Sequence, residues 1–143
     1  MSTSDMGVSV VVPCYNAEKF LDQCLSSIEA DPMKELEIIV LNDGSTDGSL
    51  AIMEAHAAGD ARVRVIDKAN QGYGATVNRG FDEARGEYVA VVEPDDYLKP
   101  GMFSALYQLA CEQDHPDVVK SSYWRVYMAD TPREHLYHCH YYH

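Results

Sequence analysis

A chain of 143 residues with 46% hydrophobic and 24% charged side chains is long enough to bury a core, and its composition excludes a disordered tail or a coiled coil. The net charge of −12, with basic residues scattered along the chain, excludes a duplex nucleic-acid binder. The longest apolar runs fall far short of the roughly 20 residues a membrane-spanning helix needs.

Val8–Val12 is a β-branched run closed by Pro13, which predicts a buried strand ending there. In the loop that follows, Tyr15 offers a flat face for a base, and Asn16 serves either as a helix N-cap or as a ligand contact. Phe20, Leu21, Cys24, Leu25 and Ile28 then recur at helical spacing and predict the first helix face. Leu36–Leu41 predicts a second strand that runs into Asn42-Asp43-Gly44-Ser45-Thr46-Asp47-Gly48. Asp43, the first carboxylate past that strand, is placed to accept from a base N–H or a ribose hydroxyl. Gly44 allows close approach, Ser45 or Thr46 caps the next helix, and Asp47 falls in its first turn as a structural acid.

Leu50, Met53 and Ala57 supply that helix's apolar face, and Val63–Ile66 predicts a third strand. The segment from Asp67 to Gly74 then bends on two glycines into a helix whose apolar face is Val77, Phe81 and Ala84, with its free N–H groups open to an anion. Gly72-x-Gly74 is not a dinucleotide fingerprint, because it does not follow the first strand and no third glycine arrives in place. Asn78 and Arg79 either reach a ligand or form a solvated face.

Tyr88–Val92 predicts a fourth buried strand, and it delivers Glu93, Asp95 and Asp96 together at its end, with Pro94 stiffening the turn. Like charges so close repel one another, and a hard divalent cation, Mg²⁺ or Mn²⁺, relieves them while leaving positions for water and phosphate oxygens. The cluster therefore points to a metal-bridged phosphate ligand; the alternative is that Asp95 and Asp96 cap the helix carrying Phe103, Leu106, Leu109 and Ala110.

Strand and helix alternate throughout, which predicts an α/β fold. Its mostly parallel sheet carries helices on both faces, and ligands sit beyond the carboxyl ends of the strands. The whole chain is read as one domain with a core over about 8–120. Val118, Val119 and Tyr123–Met128 predict one or two more strands, and the Tyr- and His-rich tail from Arg133 shows no period. The residues of 121–143 read as incomplete or irregular. Within them His135, His138, Cys139, His140 and His143 are zinc-ligand types in no recognised spacing. Exposed strand edges at this end predict a homodimer. Cys14, Cys24, Cys111 and Cys139 form no C-x-x-C pair and no signal peptide precedes them, which predicts free, mostly buried thiols and a cytoplasmic protein.

Taken together, VSVVVPCYNAEKFL, EIIVLNDGSTDGS, NQGYGATVNRG and GEYVAVVEPDDYLKP resemble, in order and spacing, the family 2 glycosyltransferases of the GT-A fold. The resemblance runs from about Val8 to about Leu109. It implies a nucleotide-diphosphate sugar donor, commonly a UDP-sugar, with Tyr15 and Asp43 near the base, Pro13 shaping the pocket floor, and Asn16, Gly72, Asn78 and Arg79 on the donor side. Glu93 and Asp95 fill the two acidic places of the D-x-D motif. Asp95 is then the metal ligand, Asp96 an accessory one, and Glu93 the contact to ribose or to a metal-bound water. The first acid departs from the usual pattern, being Glu rather than Asp.

The resemblance implies transfer with inversion to a saccharide or lipid-linked acceptor in glycan or cell-envelope polysaccharide synthesis, in the cytoplasm or at the inner face of the membrane. No residue matches the family's general base; Asp130 and Glu134 come early and lack its surroundings. The chain reads as the donor-binding portion of a longer enzyme or a compact form that borrows the rest from a partner. The alternative is a binding module that holds a nucleotide sugar without turnover.

Overall fold

Every residue of Val8–Cys14 and of Leu36–Asp43 is buried, and strands covered on both faces read as unbroken apolar runs. These are β1 and β2, the two central strands of a four-stranded sheet in the computed structural model, which describes residues 6–127 and 133–137. β3 (Val63–Lys68) pairs with β2 and β4 (Tyr88–Val91) with β1, all in parallel, giving the order β3-β2-β1-β4. The connecting helices are α1 (Glu18–Glu29), α2 (Ser49–Gly59) and α3 (Tyr73–Glu83). α4 (Met102–Glu112) follows β4, and among the described residues no helix is long and apolar enough to cross a membrane.

β1 does not stop at Pro13. It continues to Cys14, with Pro13 in register with Leu41 of β2. Strand alternation explains why. Val11 accepts from the Val92 N–H on the β4 side (2.9 Å), so Pro13, two residues on, turns its missing N–H to that same side, where β4 has already ended. The proline removes no ladder bond, and one that would break a central strand is tolerated.

The helix faces also differ from the periodic reading. α1 buries Leu21, Cys24, Leu25 and Ile28 as predicted, but Phe20 is 42% exposed. α3 buries Thr76 and Gly80, while Phe81 is 47% exposed and Val77 and Ala84 only half-buried. The cause is Gly80, where a Cβ would come within 2.4 Å of Val11 Cγ1, so the helix backbone lies directly on β1 and rotates its larger residues to the flanks. Val11, Ile39 and Leu41 form the core under α3, with Ile66 and Ala84 at its margin. Each such buried aliphatic side chain contributes about 1.5–3 kcal/mol. Gly80→Ala should therefore destabilise the fold by about 1–3 kcal/mol through overpacking. Gly74→Ala, where an added Cβ meets nothing within 4 Å, should be neutral or stabilising. Urea melts of the two variants check this.

β4 is an edge strand, not the fully buried one its sequence predicts: Val89 is 44% and Val91 37% exposed. A buried carboxylate sets its place. Glu37 accepts from the Ser9 hydroxyl (2.6 Å) and the Arg85 N–H (2.6 Å), and Ser9 Oγ accepts from the Gly86 N–H (2.7 Å). The turn before β4 is thus pinned to β1, which fixes where the acidic loop emerges.

The chain separates into two compact units, Met1–Ser104 and Ala105–His143, where the sequence gives one domain with a core to about 120. In the second unit β5 (Tyr123–Tyr127) and β6 (Arg133–Tyr137) form an antiparallel pair. β6 lies in the stretch read as irregular. It is held by stacked rings of Tyr123 and Tyr137 at 5.1 Å, with Arg125 5.0 Å over the Tyr137 ring. Val118 and Val119 belong to no strand, and Leu109 of α4 is 39% exposed rather than part of a buried face. Met128, Asp130, His138, Cys139, His140 and His143 lie outside the described residues, and His135 and Glu134 fall in β6. Cys14, Cys24 and Cys111 are free thiols, the first two buried.

Candidate functional site

In a parallel sheet the loops after each strand gather at one rim, and four of them do so here: 15–17, 44–48, 69–72 and 92–96. Side chains lace each to the next. Asn16 adopts the left-handed conformation (φ 48°) that asparagine tolerates, and its Oδ1 accepts from the Thr46 N–H (2.7 Å) while its own N–H donates to Ser45 Oγ (3.0 Å). Neither Asn16 nor Ser45 or Thr46 is an N-cap, contrary to the sequence reading. The caps are Ala17, Gly48 and Gly72, none with a side-chain bond of its own.

The first turns of α1 and α2 cap one another instead. Asp47 accepts from the Glu18 N–H (3.3 Å) and the Ser49 N–H (2.9 Å), and Glu18 accepts from the Gly48 N–H (2.8 Å). Asp47 is thus the structural acid expected, and its carboxyl is held below the usual range, chiefly by Ser49. Tyr15 stands 53% exposed beside this junction, with Pro13 buried behind it.

Asp43 joins the second loop to the third. It is 4% exposed; Oδ1 accepts from Lys68 Nζ (2.6 Å) and the Gln71 N–H (2.8 Å), and Oδ2 from the Gly72 N–H (3.0 Å). Burial pushes the Asp43 carboxyl up, but Lys68 and the two N–H groups outweigh it and hold it below the ordinary 3.8. Lys68 is a rim residue that the sequence did not single out. Its signal is positional, since parallel register sets Asp43 opposite Lys68. Gly72 takes φ +94° in open space, so its glycine answers to backbone conformation and not to crowding. Asn78 is exposed on α3, and Arg79 donates from Nε to Glu83 Oε1 (3.1 Å), one turn further from the rim.

At the fourth loop Pro94 occupies the second position of a turn closed by the Asp96 N–H on Glu93 O (3.0 Å), a position proline favours. The turn rests on α1: Cys24 Sγ donates to Glu93 O (3.5 Å), and the Leu98 N–H donates to Ser27 Oγ (3.0 Å). Asp95 and Asp96 are exposed, and no ion pair among the described residues reaches them or Glu93. Burial, then Asp95 and Glu93, raise the Asp96 carboxyl above 3.8, and burial, followed by Asp96, Cys14, Asp95 and Glu93, pushes the Cys24 thiol up to about 12. The Glu93 carboxylate accepts a short hydrogen bond from the Tyr73 hydroxyl, which closes the lacing from the third loop to the fourth. Tyr73 is the second rim residue missed from sequence; an aromatic ring between two glycines was its one visible sign.

Among the described residues no three His, Cys, Asp or Glu side chains converge into a ready metal cage. A metal held by Asp95 with Asp96 as an accessory ligand, as the sequence suggested, calls for no such cage. A site for Mg²⁺ or Mn²⁺ needs only one or two carboxylates with water and phosphate oxygens, and the exposed, mutually repelling Asp95 and Asp96 supply that donor set.

A groove lies at the opposite end of α1 and α2, lined by Asp22, Glu29, Ile52, His56 and Asp60, an acidic setting unsuited to a phosphate. There His56 Nδ1 lies 2.6 Å from Glu29 and Nε2 2.8 Å from Asp22, an arrangement in which a protonated ring donates to both carboxylates. Burial works against that charge, but the two carboxylates more than offset it and raise His56 above 6.5, while burial raises Glu29 above 4.5. A raised folded value gives stability that is complete below the ordinary histidine value and lost as pH climbs through the folded one. The unfolding free energy should drop by about 1–2 kcal/mol between mildly acidic and alkaline buffer, and His56→Gln should flatten that slope in urea melts.

The fold and rim define an α/β protein whose ligand loops lie at the carboxyl ends of a parallel sheet. Residues 9–142 match the model for glycosyl transferase family 2, and the chain belongs to that family. It is 41% identical over 118 residues to the uncharacterized glycosyltransferase EpsJ of Bacillus subtilis, covering 82% of this chain and 34% of that one. It is also 41% identical over 124 residues to glycosyltransferase GlyG of Streptococcus pneumoniae, covering 86% and 41%. Among solved structures, S. aureus TarS 1-349 in complex with UDP-GlcNAc superposes with a TM-score of 0.71 at 31% identity over 76% of this chain and 32% of that one. The fold is GT-A, and the chain spans 34% and 41% of the length of those two curated relatives.

Proposed function

We propose that this chain is the donor-binding part of a divalent-metal-dependent, inverting glycosyltransferase that takes a UDP-linked sugar and passes it to a saccharide or lipid-linked acceptor. The observation that carries the reading is the acidic turn at Glu93–Asp96, which has no cationic partner among the described residues and stands at the rim beside the loops at Tyr15 and Asp43. The S. aureus TarS complex with UDP-GlcNAc supports a uridine donor.

Tyr15 stacks on the base over a floor shaped by Pro13, and Asn16 holds that loop to the second. Asp43 acts by ordering Gln71 and Gly72, so that the third loop and the start of α3 face the diphosphate with free N–H groups. Asp95 holds the metal with Asp96 beside it, and Glu93 accepts from a ribose hydroxyl. The bound metal supplies relief of the charge that builds on the departing diphosphate, an effect worth several kcal/mol in such sites. Arg79 contributes through Glu83 to the packing of α3, and Asn78 lines the donor side.

Calorimetric titration of UDP in Mn²⁺ and in EDTA, beside a donor-hydrolysis assay, tests this. Binding that needs Mn²⁺, with slow hydrolysis of the sugar nucleotide, is the expected result. Metal-dependent binding with no turnover at all would leave a nucleotide-sugar-binding module, and metal-independent binding would remove the proposed role of Asp95.

A further inference from the structure

The Tyr73 hydroxyl spans from the third loop to the fourth and donates to Glu93 Oε1; among the described residues nothing else donates to this carboxylate, so Oε2 can accept from elsewhere. Both ends of this strap are fixed from behind. Tyr73 opens α3 directly after Gly72, whose N–H is held by Asp43 (3.0 Å), as is that of Gln71 (2.8 Å). The Glu93 carbonyl accepts from the Asp96 N–H (3.0 Å) and from Cys24 Sγ (3.5 Å). Between these anchors lie the two side chains, and the glutamate carries one more rotatable bond than an aspartate and so has more freedom to lose when it takes up a fixed position. A phenol on a carboxylate is a charge-assisted hydrogen bond, strong enough to select one rotamer. The Tyr73 ring itself is 58% exposed, so its hydroxyl is not needed to fill a core.

We propose that Tyr73 is a positioning residue for donor recognition: it locks the Glu93 carboxylate so that its second oxygen meets the ribose hydroxyls, and thereby sets discrimination for ribose over deoxyribose. The inference rests on the reading of Glu93 as the ribose contact.

The test is calorimetric binding of UDP, 2′-deoxy-UDP and 3′-deoxy-UDP, each with Mn²⁺, to the full chain and to Tyr73→Phe. The unaltered chain should prefer UDP over at least one deoxy analogue by roughly tenfold, as for a hydrogen bond to a charged group. In Tyr73→Phe that preference should shrink to about threefold or less, with the deoxy analogue bound as before, because a carboxylate free to rotate recovers only part of the bond. Glu93→Asp withdraws the carboxylate from Tyr73, so it should lower discrimination in the unaltered chain and change nothing further in Tyr73→Phe. Equal weakening of all three ligands would make Tyr73 merely structural and overturn the proposal, and so would undiminished discrimination in Tyr73→Phe. If the unaltered chain binds UDP without discriminating, Glu93 is not on the ribose and the inference falls alone. If it binds no UDP at all, the proposed function falls and takes the inference with it.

Discussion

Asp43→Ala should lower the unfolding free energy by about 3–5 kcal/mol, a large share of the roughly 5–15 kcal/mol that holds a domain together. The change leaves the Lys68 ammonium, whose side chain is 9% exposed, with only the Ala69 carbonyl (3.1 Å) and the Thr76 hydroxyl (3.2 Å) among the described residues to accept from it. Removing one partner of a buried pair strands the other charge, which is why the loss exceeds the net worth of the pair. It also frees the Gln71 and Gly72 N–H groups, so the third loop loses its anchor and UDP affinity should fall with stability. The acid limb provides a second check. Asp43 has a folded value below 3.8, so its contribution is present above that value and is lost as pH falls through the folded one. Asp43→Asn should therefore be less stable near neutrality and should lose less on acidification. Urea midpoints across the acid range measure both effects.

Asp95→Asn should do the reverse: it should abolish function and spare the fold. The side chain is exposed, in no ion pair among the described residues and next to two further acids, so neutralising it removes repulsion and leaves stability unchanged or slightly higher. Its effect on ligand should be large. If the metal contribution of several kcal/mol passes through this carboxylate, Mn²⁺-dependent UDP affinity should fall about 100-fold or more. Asp47→Asn is the matched control at the same rim. It disturbs the mutual capping of α1 and α2, which lowers stability, and should leave the Mn²⁺ dependence intact. Calorimetry with and without Mn²⁺ separates the two aspartates, and equal losses would mean that Asp95 has no special claim on the metal.

The central strands were legible because their signal is local: Val10, Val11, Val12, Ile38, Ile39 and Val40 are buried by any packing that covers both faces of a sheet. The rim loops were legible as places, since each follows a strand that announces itself. Which atoms meet across them was not. Asp43 and Lys68 are brought together by the register of β2 against β3, and Tyr73 and Glu93 by two loops from opposite halves of the sheet, neither of which periodicity records. Phe81 misled for a related reason, because a helix that lies on its glycine turns its aromatic residue outward. Pro13 misled because a missing N–H matters only where a neighbouring strand waits for it, and the length of β4 decides that.

The proposed function requires Asp95 to hold a divalent cation for the donor's diphosphate. A crystal soaked with UDP and Mn²⁺ measures this directly. Anomalous density for manganese bridging the Asp95 carboxylate and the two phosphates, with the uracil against Tyr15, is the predicted result. Nucleotide bound away from the 92–96 turn, or bound there with no ion on Asp95, would contradict it.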